Sequence, residues 1–354
     1  MIKTGYYKDL TKMNTFGMKV KARCFIEYDS VADLVDIEFD ELARPVLHIG
    51  GGSNLLFTED FKGTILHSKI SFIEILDDRH PAAEGSRVLV SVGAGVVFDD
   101  FCAWAADEGL WGVENLSYIP GEAGASAVQN IGAYGVEAKD VIHTVCCYDT
   151  VEEEFVRFSV DECGYGYRDS IFKKPEMKGR YIVTHVVFSL SRDPQPRLEY
   201  GHLSEAVRAE NRPVTPALIR KVIIRIRKEK LPEPDVMGSA GSFFKNPVVS
   251  REHFRKIETA AKEEHGEDFK VPYYDLPDGS VKIPAAWMIE QCGWKGRRSG
   301  GAAVYEKQPL VIVNYTGDAY PEEIIGLEKR IMASVQDKFG VVLHPEVEHV
   351  PQMK

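Results

Sequence analysis

The sequence lacks the features that mark secreted, membrane-spanning and nucleic-acid-binding proteins. Its six cysteines form no C-x-x-C pair, which disfavours a disulfide framework or a cysteine metal site. It has no stretch of about twenty apolar residues, so no spanning helix is expected. The N-terminal segment contains no apolar run of signal-peptide length. The net charge of −11 argues against broad binding to nucleic acid or anionic membranes. A cytoplasmic protein with reduced, mostly buried thiols is therefore expected.

The 354 residues are enough for two or three domains with a well-buried core. Thr215 caps a helix that Pro216 opens and that continues to Lys230. The spacing of apolar residues predicts another helix over residues 321–339, closed by Gly340. Strands are predicted at residues 45–49, 87–92, 141–148, 181–190 and, around a proline, 341–350. Because helices and strands alternate only loosely, the class is α+β or mixed α/β.

A run of glycines, Gly50-Gly51-Gly52, directly follows the first of these strands and continues as Ser53-Asn54. Consecutive glycines allow backbone N–H groups to converge on a phosphate, although a flexible turn has the same composition. The run is not a dinucleotide-binding fingerprint, because Leu55 stands where the third glycine would be.

A second glycine-rich stretch covers residues 112–135 and has no regular apolar period. Its small residues are typical of backbone that wraps closely around a ligand with phosphates and rings, rather than of a plain loop. The segment from Gly124 through Ser126 to Val128 lacks the final glycine of a nucleophile elbow, so a hydrolase is not supported.

The segment around Ser242, residues 230–247, combines prolines and glycines with polar side chains and predicts a rigid loop that presents groups to a ligand. Ser242 and Lys245 have the S-x-x-K spacing of serine acylases. That interpretation also needs later S-D-N and K-T-G motifs. The first is absent, and the only K-T-G precedes the serine at the N-terminus.

Two further charged residues have little meaning alone. Arg168 lies among aromatic residues and could stabilise an oxyanion or form a surface salt bridge with Asp169. Glu346 follows a proline near the C-terminus, where most glutamates are solvated. His344 and His349 have no metal-ligand spacing with other donors, so no metal is expected.

Taken together, five segments resemble the UDP-N-acetylenolpyruvoylglucosamine reductase family. They are GGGSNLL, IPGEAGASAVQNIGAYG, YRDSIFK, AGSFFKNP and HPEV, and they occur in family order across nearly the whole chain. The extended YRDSIFK region and the segment at residues 198–203 resemble the longer subclass, in which a tyrosine-bearing loop folds over the substrate.

The resemblance implies an α+β protein with a flavin-binding fold of the vanillyl-alcohol-oxidase type in two subdomains, plus an α+β substrate-binding domain. The expected boundaries are 1–66 with the C-terminal strands 341–354, then 67–205, then 206–340. FAD would be held noncovalently. The residues expected to contact it are Gly50, Gly51, Gly52, Ser53, Asn54, Leu55, Ile119, Gly121, Gly124, Ala125, Ser126, Asn130, Ile131 and Gly132.

The resemblance also implies the reaction, which is the NADPH-dependent reduction of UDP-N-acetylglucosamine enolpyruvate to UDP-N-acetylmuramate in peptidoglycan synthesis. Hydride from flavin N5 would add to the methylene carbon, and Ser242 would protonate the neighbouring carbon. Arg168 would stabilise the developing charge. Glu346 would orient the carboxylate end, and we hypothesise that it is protonated or charge-compensated by Arg168. The expected substrate-binding residues are Tyr200, Lys230, Lys245 and Asn246.

Two other functions remain open at this point. A sugar or alcohol oxidase of the same fold would share the glycine motifs and use oxygen, but it would have no carbon to protonate. A catalytically silent nucleotide-binding protein would not need Arg168, Ser242 and Glu346 together. A monomer without nucleic-acid or membrane partners is expected.

Overall fold

The computed structural model describes residues 1–76 and 86–351. Its helices are α1 Val31–Val35, α2 Phe98–Asp107, α3 Ala123–Gln129, α4 Leu203–Arg208, α5 Pro216–Lys230, α6 Arg251–His265, α7 Ala285–Gln291 and α8 Pro321–Phe339. The strands up to residue 191 are β1 Lys3–Asp9, β2 Lys21–Tyr28, β3 Val46–Ile49, β4 Leu55–Phe57, β5 Phe61–Ser68, β6 Ile73–Ile75, β7 Arg87–Gly93, β8 Gly132–Ala133, β9 Val136–Glu137, β10 Ile142–Asp149, β11 Glu154–Ser159 and β12 Tyr181–Ser191. The later strands are β13 Gly238–Ser242, β14 Val248–Val249, β15 Tyr274–Asp275, β16 Val281–Lys282, β17 Arg298–Ser299, β18 Ala302–Val304, β19 Val311–Asn314 and β20 Glu348–Val350.

The first of two compact units contains a four-stranded and a five-stranded sheet. It comprises Met1–Asp9, Lys21–Gly52 and Asp60–Glu229. The smaller sheet has the order β1-β2-β5-β3, with β5 parallel to both β2 and β3. The larger sheet, β11-β10-β12-β7-β6, is antiparallel throughout. Phe98 and Phe101 of α2 pack with Phe188 of β12 in its core, where the Phe101 and Phe188 ring centroids are 4.7 Å apart.

The second unit comprises Leu10–Val20, Ser53–Glu59 and Lys230–Lys354. Its main sheet has the order β13-β19-β18-β17, and β20 pairs in parallel with β4. The α8 helix carries the buried stripe expected from the sequence, with Ile324, Leu327, Ile331 and Val335 fully buried and Phe339 only partly so. These units follow a different division from the three expected domains, because α5 up to Glu229 belongs to the first unit. The three-domain division stays a prediction.

Most of the predicted elements are confirmed. The α5 helix begins at Pro216, and the hydroxyl of Thr215 accepts a hydrogen bond from the Leu218 N–H at 3.1 Å. The α8 helix begins at Pro321 and ends at Gly340, whose φ of +66° lies in the left-handed region that favours glycine. The strands predicted near residues 45, 87, 141 and 181 correspond to β3, β7, β10 and β12.

Two local predictions are wrong. The segment around Ser242 is not loop throughout, because residues 238–242 form β13 and pair with β19. Phe243 and Phe244 follow it and are buried, so the segment does contribute to a core. The tail forms a strand only at β20, not from residue 341. Pro345 has no N–H to donate, so the chain before β20 makes only an isolated bridge, from Pro345 to Phe244.

Candidate functional site

Two glycine segments predicted to contact a cofactor lie against each other in the first unit. A Cβ atom at Gly50 would lie 3.0 Å from the Cβ of Ala125, and one at Gly51 would lie 3.5 Å from the Cα of Gly121. A Cβ atom at Gly124 would lie only 2.9 Å from the Cβ of Ala94. A side chain at Gly50 would therefore crowd Ala125, and one at Gly124 would crowd Ala94, whereas one at Gly51 would make an ordinary contact with Gly121. Such a cradle, which we call the glycine junction (residues 50–52 and 121–125), suits a diphosphate held by backbone N–H groups.

The remainder of the first glycine motif belongs to the second unit, where Ser53, Asn54 and Leu55 lead into β4. The second glycine-rich stretch is not irregular, because part of it forms α3. The hydroxyl of Ser126 donates to the Ala123 carbonyl inside this helix at 2.7 Å. Ile119 lies just before the helix and is half-buried. Whether these residues contact FAD stays a prediction.

Asn130 ends α3 in a left-handed conformation, with a φ of +45°, and is buried. Its side-chain amide donates to the carbonyl of Gly166 at 2.8 Å and to Glu137 Oε2 at 3.0 Å. Its side-chain oxygen accepts from the Lys139 N–H at 3.1 Å. Asn130 therefore joins the end of the glycine-rich stretch to the loop that carries Arg168, a role that the sequence did not reveal.

Arg168 is held on that loop by the backbone of the same stretch. Its guanidinium donates to the carbonyl of Gly132 at 2.6 Å and to that of Asn130 at 3.3 Å. Its own φ of +54° is uncommon for a residue with a side chain. Lys173 donates to the Arg168 carbonyl at 3.2 Å and to Gln129 Oε1 at 2.8 Å. The loop therefore fixes both the backbone and the guanidinium of Arg168, as preorganised electrostatic stabilisation requires.

A second arginine, Arg227, lies near Arg168 in the same unit. Its Nε donates to the Tyr118 carbonyl at 3.1 Å, and burial lowers its pKa. The positive charge of Arg168 also lowers the pKa of Arg227. The two guanidinium groups are therefore close enough to interact. Arg227 lies in none of the sequence motifs. The available signal was its position four residues after Ile223, on the buried face of α5.

In the second unit, Ser242 is the last residue of β13 and is exposed. Gly241 before it has a φ of +69°, and the pairing with β19 is irregular between Ser239 and Ser242. Phe243 after it is buried, and its N–H donates to the Leu310 carbonyl at 2.8 Å. The hydroxyl of Ser242 is thus presented from a backbone that is anchored on its C-terminal side.

Glu346 lies alongside the Ser242 segment. The N–H of Glu346 donates to the carbonyl of Phe243 at 2.8 Å, and the N–H of Lys245 donates to the carbonyl of His344 at 2.9 Å. This antiparallel pairing brings together two predicted catalytic residues that are far apart in the chain. The tail therefore places the Glu346 backbone beside the Ser242 segment within this unit.

Asn54 holds the other backbone group of Glu346. Its side-chain amide donates to the Glu346 carbonyl at 3.1 Å, and its own carbonyl accepts from the Glu348 N–H at 3.0 Å. Asn54 was predicted only as a cofactor residue. In the structure it also connects the glycine-serine-asparagine motif to the segment that carries Glu346.

The predicted substrate-binding residues are divided between the units. Lys230, Lys245 and Asn246 belong to the second unit, whereas Tyr200 belongs to the first. Tyr200 is half-exposed and packs edge-on against Tyr134. Asn246 Oδ1 accepts from the Ala285 N–H at 2.9 Å at the start of α7. Contacts of these four residues with substrate stay predictions.

Within residues 1–76 and 86–351, no group of three or more His, Cys, Asp or Glu side chains is arranged to hold a metal ion. In the same part of the chain, no helix has the length and apolar character needed to cross a membrane. The six cysteines are all free thiols; five are buried and Cys292 is partly exposed.

Comparison with known families identifies a flavin-binding protein. The FAD binding domain family matches residues 22–154. The family described as UDP-N-acetylenolpyruvoylglucosamine reductase, C-terminal domain, matches residues 233–350. The α+β fold class expected from the sequence is thereby confirmed.

The protein belongs to the UDP-N-acetylenolpyruvoylglucosamine reductase family. It is 50% identical to the enzyme of that name from Bacteroides fragilis over 343 residues, covering 96% of this chain and 98% of the relative. It is 44% identical to that of Neisseria meningitidis serogroup A, covering 98% and 97%. The crystal structure of the Thermus caldophilus reductase aligns over 99% of this chain and 98% of its own, with a TM-score of 0.65 and 22% identity.

Proposed function

We propose that this protein reduces the enolpyruvyl ether of UDP-N-acetylglucosamine to the lactyl ether of UDP-N-acetylmuramate, using NADPH and noncovalently bound FAD, in peptidoglycan precursor synthesis. The observation that carries the proposal is the pairing of the Ser242 segment with the Glu346 segment. This backbone pairing brings a hydroxyl-bearing and a carboxyl-bearing residue onto adjacent segments, as protonation of a carbon next to a carboxylate would need. The full-length likeness to enzymes named for this substrate supports the same reaction.

FAD would lie with its diphosphate at the glycine junction, where the Gly50 backbone comes so close to Ala125 that a side chain would be crowded. When bound, FAD supplies a hydride carrier that accepts hydride from NADPH and delivers it from N5 to the enolpyruvyl methylene carbon. The closely approaching glycine backbones of the first unit would hold and orient the cofactor.

Ser242 would donate the proton that the neighbouring carbon needs after hydride addition. An isolated hydroxyl is a weak acid, so this role requires support from adjacent groups. The irregular end of β13 and the buried Phe243 hold the Ser242 backbone in place for this task. The S-x-x-K nucleophile interpretation receives no support, because the accompanying motifs are missing.

Arg168 would stabilise the negative charge that spreads into the substrate carboxylate. Its guanidinium is already oriented by the carbonyls of Asn130 and Gly132, so little reorganisation is needed during the reaction. The nearby Arg227 adds positive potential in the same unit. A planar guanidinium can also bind a carboxylate through two parallel hydrogen bonds.

Glu346 would orient the carboxylate end of the intermediate. A bare carboxylate would repel that group, so Glu346 would be protonated or charge-compensated. The pH dependence of the enolpyruvyl half-reaction tests this point. If the rate of flavin reoxidation shows that Glu346 is fully ionised at every pH measured, the protonated form is refuted.

The UDP diphosphate would be bound by Lys230 and Lys245, with Asn246 and Tyr200 contributing polar contacts. Lysine is suited to phosphate as a compact charge. These basic groups do not conflict with the acidic net charge, because a binding pocket needs only local positive potential.

The deciding experiment uses the purified yellow holoprotein. Anaerobic NADPH should bleach the flavin absorbance, and the enolpyruvyl substrate should restore it with stoichiometric formation of UDP-N-acetylmuramate. Oxygen uptake with sugars or alcohols, without this reoxidation, would instead indicate an oxidase. Binding of nucleotide without either half-reaction would indicate a silent protein.

A monomer in the cytoplasm is part of the proposal. The free cysteines are consistent with a reducing compartment. Light scattering of the holoprotein should give the mass of one 39.6 kDa chain. Cell fractionation should recover the protein with cytoplasmic markers, and recovery as a stable dimer or with membranes would contradict this part.

A further inference from the structure

A buried histidine lies between two carboxylates beneath the glycine junction. His67 on β5 is 3% exposed, and its Nε2 lies 2.9 Å from Glu122 Oε1. Its Nδ1 lies 3.1 Å from Oε1 of Glu27, the residue opposite it in the register of the parallel strands β2 and β5. Both ring nitrogens thus face carboxylate oxygens. Only the doubly protonated imidazolium can donate to both at once.

Glu122 reaches the glycine junction itself. It precedes α3 and is 8% exposed, and a Cβ atom at Gly50 would lie 3.3 Å from its Oε2. One carboxylate oxygen therefore contacts His67, while the other lies against the Gly50 backbone. A negative charge in this position would repel the diphosphate that the junction is proposed to bind.

The other titratable groups around His67 do not supply the missing positive charge. Burial lowers the pKa of His48 to about 3, so this residue is neutral. Burial likewise raises the pKa of Tyr28, whose hydroxyl lies 2.7 Å from His48 Nε2. Lys69 follows β5 and is exposed, and its charge opposes protonation of His67.

We propose that His67, in its charged form, is a positioning residue for the cofactor: it neutralises Glu122 and turns its carboxylate into the protein, so that the glycine junction does not repel the FAD diphosphate. The inference rests on the proposed placement of FAD. His67 does not touch the cofactor and acts through Glu122.

The proposal has a definite pH dependence. Burial lowers the pKa of His67, but hydrogen bonds with Glu122 and Glu27 outweigh it, so the pKa is raised above its ordinary value near 6.5. The charged form is therefore complete below that value and is lost as the pH rises through the raised pKa. FAD should be held most tightly at the acidic end of the range and released more readily toward alkaline pH.

The experiment measures FAD release from the flavin-loaded protein on dilution, by the rise in flavin fluorescence, between pH 6 and pH 9. His67→Gln should release FAD about tenfold more readily at pH 6.5 and lose the pH dependence, as expected for one uncompensated charge. Glu122→Gln should hold FAD as well as the unsubstituted protein at low pH and better at high pH. The double variant should return to within about twofold of the unsubstituted protein.

His185→Gln is the matched control, because His185 is a half-buried histidine on β12 of the same unit. It should leave FAD release unchanged. Unchanged retention and pH dependence in His67→Gln would overturn the proposal. The proposal would also be overturned if His67→Gln lost FAD and the double variant did not regain FAD retention. That pattern would indicate an effect of packing rather than of charge. If His67→Gln does not fold, Glu122→Gln decides the matter. The proposal would be overturned if FAD release from Glu122→Gln depended on pH as strongly as FAD release from the unsubstituted protein.

The readout needs neither NADPH nor the enolpyruvyl substrate. A protein that retains FAD with the expected pH dependence but does not turn over this substrate would refute the proposed function and leave the role of His67 standing. If both single variants turned over the substrate normally and released FAD like the unsubstituted protein, the role of His67 would be refuted and the proposed function would stand.

Discussion

The two units position their candidate functional residues by different means. In the first, side chains do the holding: Asn130 bonds the Arg168 loop, and His67 engages Glu122 under the glycine junction. In the second, the bonds fall on the backbone of the functional residue itself: the N–H of Glu346 donates to the Phe243 carbonyl, and the Glu346 carbonyl accepts from the Asn54 side-chain amide. Substitutions in the first unit should therefore disturb placement. Substitution of Ser242 or Glu346 should change the chemistry and leave the backbone frame intact.

The largest effect is expected for Ser242→Ala in the second unit. Loss of a general acid typically costs about a thousandfold, so reoxidation of the reduced flavin by the enolpyruvyl substrate should collapse. FAD binding and reduction by NADPH should be unchanged, because the backbone that holds this segment does not involve the hydroxyl. Stopped-flow absorbance of the flavin measures each half-reaction separately.

Ser334→Ala provides the control for this substitution, since the Ser334 hydroxyl only donates to Arg330 within α8. Both of its half-reactions should be normal. A Ser242→Ala protein with slow reduction by NADPH and normal reoxidation would refute the assignment of Ser242 as proton donor.

Arg168→Lys tests the first unit and should slow the same half-reaction by about a hundredfold. Lysine keeps the charge, but a point charge cannot bond both backbone carbonyls and a carboxylate in one plane. Arg157→Lys, an exposed position on β11, is the matched control. Near-normal reoxidation in Arg168→Lys would count against an electrostatic role. Loss of FAD from that variant would indicate that the loop chiefly supports the cofactor.

Asn54→Asp sharpens the contrast, because Asn54 belongs to the glycine motif by sequence and to the Glu346 segment by hydrogen bonding. The substitution removes the donor to the Glu346 carbonyl and leaves two oxygens facing each other. An unpaired carbonyl of this kind costs on the order of 1–3 kcal/mol, so we expect reoxidation to slow about tenfold. Flavin content and stopped-flow rates should be measured together. Loss of FAD with a normal rate in the loaded fraction would assign Asn54 to the cofactor alone.

The sequence predicted local structure well where caps and apolar spacing were both present. Thr215 and Pro216 marked the start of α5, and Gly340 marked the end of α8, because these residues act within one turn of the chain. The α3 helix escaped notice because alanine, glycine and serine carry no apolar period. Composition likewise failed for β13, which forms through backbone pairing with β19.

The site could be predicted only as a set of residues. Its geometry depends on pairing between distant segments, such as Phe243 with Glu346, which no local pattern encodes. The His67–Glu122 contact is of the same kind, since neither residue is unusual in its own segment. Family motifs identified Arg168, Ser242 and Asn130, but the role of Asn130 in holding the Arg168 loop needed the fold.

The smallest effect on the chemistry is expected for Glu328→Gln in the second unit. His349 Nε2 lies 2.9 Å from Glu328 Oε2, and both side chains are nearly buried, so the pair fastens β20 to α8. Glutamine keeps the size but removes the charge, which should lower the free energy of unfolding by about 1–2 kcal/mol. Urea unfolding followed by tryptophan fluorescence measures this, with Glu322→Gln in the first turn of α8 as control. Because the Phe243 carbonyl and the Asn54 side-chain amide hold the Glu346 backbone independently of this pair, reoxidation should stay within about twofold. A much larger loss of rate at unchanged stability would mean that the His349–Glu328 pair also positions Glu346, and the contrast between the two units would fail.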